Sequence, residues 1–186
     1  MEDIKIVQLY TERSERAIAE TSVKYGAYLN KIAYNILRDF LDTEECVSDT
    51  YMKIWNSIPP TVPKVFRAFI GRIARNLALD RYSKAGAQKR GGSQVEICLD
   101  ELSECIGERA AEASFTENVE LAEILDAFLE GIESDARKIF VSRYWYMDTV
   151  KEIAECFGFT ESKVKTALFR TREALRDYLE NEGVSV

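Results

Sequence analysis

The residues from Thr149 to Arg176, TVKEIAECFGFTESKVKTALFRTREALR, constrain the fold more than any other stretch. Thr149 is a good helix N-cap, and Glu152 three residues later completes a capping box. Ile153, Ala154 and Phe157 then form one apolar face, and Gly158 supplies the left-handed residue that ends a helix. Phe159 reads as a buried turn residue, and Thr160 caps a second helix. In that helix Val164, Leu168, Leu175 and Leu179 recur at helical spacing, while Lys163, Lys165, Thr166, Arg170 and Arg172 line the opposite face. Two short helices around a Gly-containing turn, the second one basic, make a helix-turn-helix. Lys163 adds to this: a cation in the first turn opposes the helix dipole by up to about 1 kcal/mol. An outside phosphate would offset that cost. An ordinary helical hairpin with a solvated basic face also fits the pattern.

Several other chemistries are excluded. The chain of 186 residues has no histidine, which removes Ser-His-Asp and Cys-His nucleophiles and imidazole acid-base work. Its four cysteines, Cys46, Cys98, Cys105 and Cys156, form no close CxxC pair, so no zinc site is expected. Cys46 and Cys156 occupy apolar helix positions and read as small core residues, whereas Cys98 and Cys105 fall in a polar segment where a redox role is conceivable. Gly91-Gly92 lacks the strand and the Lys-Ser/Thr of a phosphate loop. No cofactor and no catalytic site is expected. The charged, periodic N-terminus is not a signal peptide, and no apolar run reaches the roughly 18 residues of a membrane span. A cytoplasmic protein without membrane insertion is therefore expected.

The net charge of −7 is unevenly spread. Lys64 to Arg90 holds eight cations (Lys64, Arg67, Arg72, Arg75, Arg81, Lys84, Lys89 and Arg90) against one acid, Asp80. Between Glu96 and Asp135 only Arg109 is basic. An acidic protein with two local basic stretches suits selected nucleic-acid contact beside an acidic surface for another partner.

With no repeat and no strand pattern, the chain reads as all-α: two small helical domains joined by a flexible acidic linker. The C-terminal domain is a helix-turn-helix, winged-helix-like but without a wing. Residues 12–24 and 26–38 give two helical runs with Tyr25-Gly26 as a joint. Asp42 is expected to cap a third helix, with Glu45 at its third position, running to about Ser57 and carrying Trp55 near its end. Pro59, Pro60 and Pro63 force a loop, and Pro63 can open the next helix. In that helix Phe66, Phe69, Ile70, Ile73, Ala74 and Leu77 are expected to face inward. Its Arg67, Arg72, Arg75, Asn76, Arg81 and Lys84 interleave with aromatics, as suits single-stranded nucleic acid. Residues 85–114 read as linker, helical in part at most. Ser114 and Glu117 form a second capping box, opening a helix to Gly131, and Ser134 caps the helix before the helix-turn-helix. The domains are thus 1–84, 85–114 and 115–186.

The order DTEECVSDTYMKIW, FRAFIGRIARNLALDRYSK, acidic linker, RKIFVSRYWY and VKEIAECFGFTESKVKTALFRTREALR resembles the extracytoplasmic-function (ECF) group of bacterial RNA polymerase sigma factors. The strongest pieces are Ile73-Ala74-Arg75-Asn76 with Asp80, and Val164-Lys165 with Arg170 and Arg172. The resemblance implies a promoter-specificity subunit with three kinds of partner: core RNA polymerase, through the clamp of its largest subunit, promoter DNA, and an anti-sigma factor. It implies that Glu44, Glu45, Asp49 and Trp55 dock on polymerase. Lys64, Arg67, Phe69, Arg72, Arg75, Asn76 and Arg81 would hold the melted minus-ten strand. Lys165, Thr166, Phe169 and Arg170 would meet base edges of the minus-thirty-five element, with Lys163 and Arg172 on phosphates. The sequence departs from the family pattern at Ser48 (usually Gln), Phe69 (commonly Trp), Met147-Asp148 (usually Gly-hydrophobic) and Ala167 (commonly basic). A stand-alone helix-turn-helix regulator explains residues 134–180 equally well, but leaves the N-terminal domain without a role.

Overall fold

The structure, a computed structural model, describes residues 1–85, 93–106 and 119–184. Among them are nine helices and no strand: α1 Asp3–Thr11, α2 Arg16–Leu37, α3 Phe40–Ser57, α4 Phe66–Ala85, α5 Gln94–Ile106, α6 Val119–Gly131, α7 Ser134–Tyr144, α8 Val150–Phe157 and α9 Glu161–Asn181. The expected all-α class is observed. The chain divides into two compact units, Met1–Arg90 and Gly91–Val186.

In the first unit α2 packs against α1, α3 and α4. Tyr10, Leu29, Ile32, Ile36, Cys46, Ile54, Phe66 and Ile70 are all buried in its core, and each such side chain contributes roughly 1.5–3 kcal/mol. The Tyr10 hydroxyl, which burial would otherwise penalise, shares a 2.9 Å hydrogen bond with Thr21. The expected break at Tyr25-Gly26 does not occur, and α2 runs through both residues. One mid-helix glycine costs only about 1 kcal/mol relative to alanine, and buried Tyr25 and Leu29 hold the helix on either side of it. The α2 helix ends at Leu37 because Arg38 takes the left-handed conformation, φ 53°.

Three helix starts differ from expectation. Asp39, not Asp42, caps α3, and its carboxylate accepts the Asp42 amide at 3.0 Å. The helix therefore begins with Phe40 and Leu41, both largely exposed. The fourth helix begins at Phe66, beyond Pro63. Its buried stripe is Phe66, Ile70, Gly71, Ala74, Arg75 and Ala78, rotated from the expected one so that Phe69, Ile73 and Leu77 are only half-buried. Small residues select this stripe, because Gly71 lets the Tyr28 ring approach α4. A Cβ on Gly71 would overlap the Tyr28 hydroxyl. In α7, Ser134 is the first helical residue and Glu133 the N-cap.

The second unit includes a helix where a linker was expected. Residues 94–106 form α5, which packs against α7 and α9 and buries Val95, Cys98, Leu102, Cys105 and Ile106. The expected capping box of Ser114 and Glu117 lies outside the described residues. The α6 helix packs on α9, with Phe128 and Tyr178 ring centroids 5.5 Å apart. Two cysteine assignments exchange places: Cys98 and Cys105 are core residues, whereas Cys156 is exposed. Burial pushes the Cys105 thiol, like that of Cys46, up to about 11. Both thiols are thus protonated at neutral pH and poor nucleophiles.

Candidate nucleic-acid interfaces

The helix-turn-helix forms as its local signals dictate. The Thr149 hydroxyl accepts the Glu152 amide at 3.1 Å, and the Glu152 carboxylate accepts the Thr149 amide at 2.6 Å. Gly158 closes α8 at φ 69°, and the Thr160 hydroxyl accepts the Lys163 amide at 3.1 Å to open α9. The α9 helix buries Val164, Leu168, Thr171, Leu175 and Leu179. Thr171 extends the expected apolar set. Lys165, Thr166, Phe169 and Arg170 are all exposed on the far side, Phe169 at 59%. Spacings of one, four and five residues put the four on one helical face, suited to base edges.

The two cations assigned to phosphates have partners within the chain. Lys163 donates to Asp135 at 3.1 Å, and its ammonium stands 3.6 Å from the centroid of the Phe159 ring. That hydrogen bond, with the ammonium's charge, holds the Asp135 carboxyl below its usual value. The unfavourable first-turn cation is therefore offset internally, and Phe159 is a half-buried platform for it. Arg172 donates to the Tyr144 hydroxyl at 2.8 Å and lies 3.6 Å from Glu101.

Glu101 had no assigned role in the sequence, yet it is a hub. Arg143 grips it in bidentate fashion, Nε to Oε2 at 3.0 Å and Nη2 to Oε1 at 2.8 Å, and Tyr144 donates to it at 3.1 Å. The Arg143 side chain is only 4% exposed. Burial raises the Glu101 pKa, but the hydrogen bonds and charges of Arg143, Tyr144 and Arg172 outweigh it and hold the carboxyl below the ordinary glutamate value. Arg143 also donates to the Asp148 carbonyl at 3.3 Å, tying the hub to the turn before α8. In that turn Met147, standing where the family pattern has glycine, takes φ 56° with its side chain buried. Core packing compensates a backbone position that glycine would occupy without strain.

On α4 and the residues just before it the basic set divides. Lys64, Arg67 and Arg72 are exposed, while Phe69, Asn76 and Arg81 are half-buried. Arg67 lies 4.8 Å from the Tyr28 ring centroid. Arg75, expected on the nucleic-acid face, is 2% exposed and belongs to the buried stripe. Arg81 turns towards α3, donating to Glu45 at 2.9 Å and Asp49 at 2.5 Å. Residues assigned to two different partners are thus paired with each other, and Arg81 holds the Glu45 carboxyl below its usual value. Glu44 is exposed on the same helix. Trp55 is half-buried against α1, edge-on to Tyr10 at 6.1 Å and 5.4 Å from the Arg13 guanidinium. Among the described residues no group of histidine, cysteine and acidic side chains is arranged to hold a metal ion, and no helix is long and apolar enough to cross a membrane.

The two units correspond to two known modules. Residues 23–88 match the family model for sigma-70 region 2, and residues 122–175 the model for sigma-70 region 4. An all-helical chain carrying both is a sigma factor, and it belongs to the sigma-70 family of bacterial RNA polymerase. Within that family it falls in the ECF group. It is 24% identical over 149 residues to the ECF RNA polymerase sigma factor SigE of Mycolicibacterium smegmatis, covering 80% of this chain and 56% of that protein. The chain thus spans about half the length of that relative. A solved structure of CnrH in complex with the cytosolic domain of CnrY aligns with a TM-score of 0.45 at 20% identity, covering 96% of this chain and 97% of that one.

Proposed function

We propose that this chain is the promoter-specificity subunit of an RNA polymerase holoenzyme, acting in the cytoplasm without catalytic chemistry of its own. The first unit binds the clamp of the core enzyme through the exposed face of α3, where Phe40, Leu41, Glu44 and Met52 stand beside the Arg81-paired carboxylates. Lys64, just before α4, and Arg67 and Arg72 of α4 take the phosphates of the melted minus-ten strand, with Phe69 and Asn76 beside an unstacked base. The second unit reads the minus-thirty-five element with Lys165, Thr166, Phe169 and Arg170 in the major groove. An anti-sigma factor is the expected regulator.

The observation that carries this reading is the joint presence of region 2 and region 4 modules in one chain. A stand-alone regulator would need only the second. Run-off transcription by core enzyme plus this chain is the test, with each promoter element scrambled in turn. The reading requires initiation that depends on both elements; transcription indifferent to both would refute it.

A further inference from the structure

The region 4 match begins at residue 122, so α5 lies outside it. Yet α5 is built into the unit that carries α9. Five apolar side chains of α5 are at most 2% exposed. At its N-terminal end Gln94 donates to the Asp148 carbonyl at 3.3 Å, on the turn before α8. Near its C-terminal end the Glu104 carbonyl accepts from Arg176 of α9. Between them Glu101 receives Arg143, Tyr144 and Arg172. One helix therefore fixes both the turn that introduces the helix-turn-helix and the helix that would lie in the groove.

Glu101 is one carboxylate facing both Arg143 and Arg172, and each of its oxygens accepts from the Arg143 fork. Arg172 is held at a longer distance, through the Tyr144 hydroxyl, with its side chain 20% exposed. Among the described residues Arg172 is the more loosely held of the two arginines, with one hydrogen bond, to Tyr144, from a guanidinium that has five donors. An arginine restrained in this way contacts a phosphate without first losing the freedom of a long side chain.

We propose that Glu101 is a positioning residue for upstream-element binding: with Tyr144 it fixes Arg172 of α9 for contact with the DNA backbone, so that α5 is a working part of the DNA-reading unit. This rests on the reading of α9 as the recognition helix.

The test uses holoenzyme assembled from core polymerase and the full chain. Binding is measured to two promoters, one carrying the minus-thirty-five element and one truncated just downstream of it so that α9 has no duplex to touch, and the affinity ratio is the readout. Glu101→Gln should lower the ratio about tenfold, and Tyr144→Phe, which keeps the ring packed and removes only the hydroxyl, a few-fold. For each variant the salt slope on the intact promoter should fall by about one phosphate contact. In an Arg172→Ala background neither substitution should lower the ratio further, because each acts through Arg172. A lower melting temperature with a wild-type ratio in folded Tyr144→Phe would make the cluster merely structural and overturn the proposal. A raised ratio would overturn it too, since Glu101 would then compete with phosphate. A wild-type ratio of one would instead sink the underlying reading, and the proposal with it.

Discussion

Arg81 of α4 reaches Asp49 of α3 at 2.5 Å, and its other terminal nitrogen reaches Glu45, one turn earlier, at 2.9 Å. The resemblance assigned the arginine to DNA and the two acids to polymerase. Their pairing means that α3 and α4 are clamped together. Because Glu45 and Asp49 are more than half exposed, the clamp is worth little as stability. Its consequence lies in the charge presented to a partner. Arg81→Ala should lower the melting temperature by no more than a few degrees while exposing two uncompensated carboxylates on the α3 face. Affinity for core polymerase, measured by titration at two salt concentrations, should change more at low salt than at high.

Gly71 and Tyr28 give a prediction with a sign reversal. Alanine at position 71 should destabilise the first unit by about 1–3 kcal/mol, because its Cβ meets the Tyr28 hydroxyl and Cζ. Replacing Tyr28 by alanine removes the obstacle, and in that background Gly71→Ala should stabilise by up to about 1 kcal/mol through helix propensity. Denaturant unfolding of the four proteins in the cycle measures both values.

The Glu101 cluster makes the second unit sensitive to acid. The Glu101 carboxyl is held below its ordinary value when folded. Its contribution is therefore fully present above the unfolded glutamate value of about 4.3 and is lost as pH falls through the depressed folded one. Glu101→Gln should be less stable than wild type at neutral pH, and the gap should narrow as pH is lowered from about 5 towards 3. Thermal unfolding across that range reports it. A gap constant with pH would contradict the assignment.

At Gly158 the left-handed backbone alone carries the cost of substitution. A Cβ there meets nothing within 4 Å, but φ is +69°. Gly158→Ala should therefore cost about 1–2 kcal/mol without any clash, and Gly158→Asn less, because asparagine tolerates this conformation. Chemical denaturation of the two variants orders them.

Arg170 stands exposed on the α9 face with Lys165, Thr166 and Phe169. Arg170→Ala should weaken upstream-element recognition by about 1–3 kcal/mol if it pairs with a base. Promoter-library transcription that retains wild-type base preference would remove it from the reading face.

The legible parts of the sequence were the local ones. Thr149, Glu152, Gly158 and Thr160 announce helix ends through hydrogen bonds within a few residues, and each forms as written. Element α5 was hidden by composition. Its acidic residues and the Gly-rich stretch before it suggested a linker, and two of its buried positions are cysteines in a segment read as polar. The signal was nonetheless present, since Val95, Cys98, Leu102 and Cys105 follow spacings of three, four and three residues. Arg75 was misplaced because its cationic head outweighed its register with Gly71, Ala74 and Ala78. Asp135, Tyr144 and Glu101 could not be found as partners of Lys163 and Arg172, because those pairs join residues far apart in the chain.

Two sigma modules in one chain should act together on core RNA polymerase. Co-elution of the purified chain with bacterial core enzyme on a sizing column tests it most directly. A stable one-to-one complex is the predicted result. Failure to form one, together with tight binding of the chain alone to duplex DNA, would contradict the account and leave a stand-alone regulator.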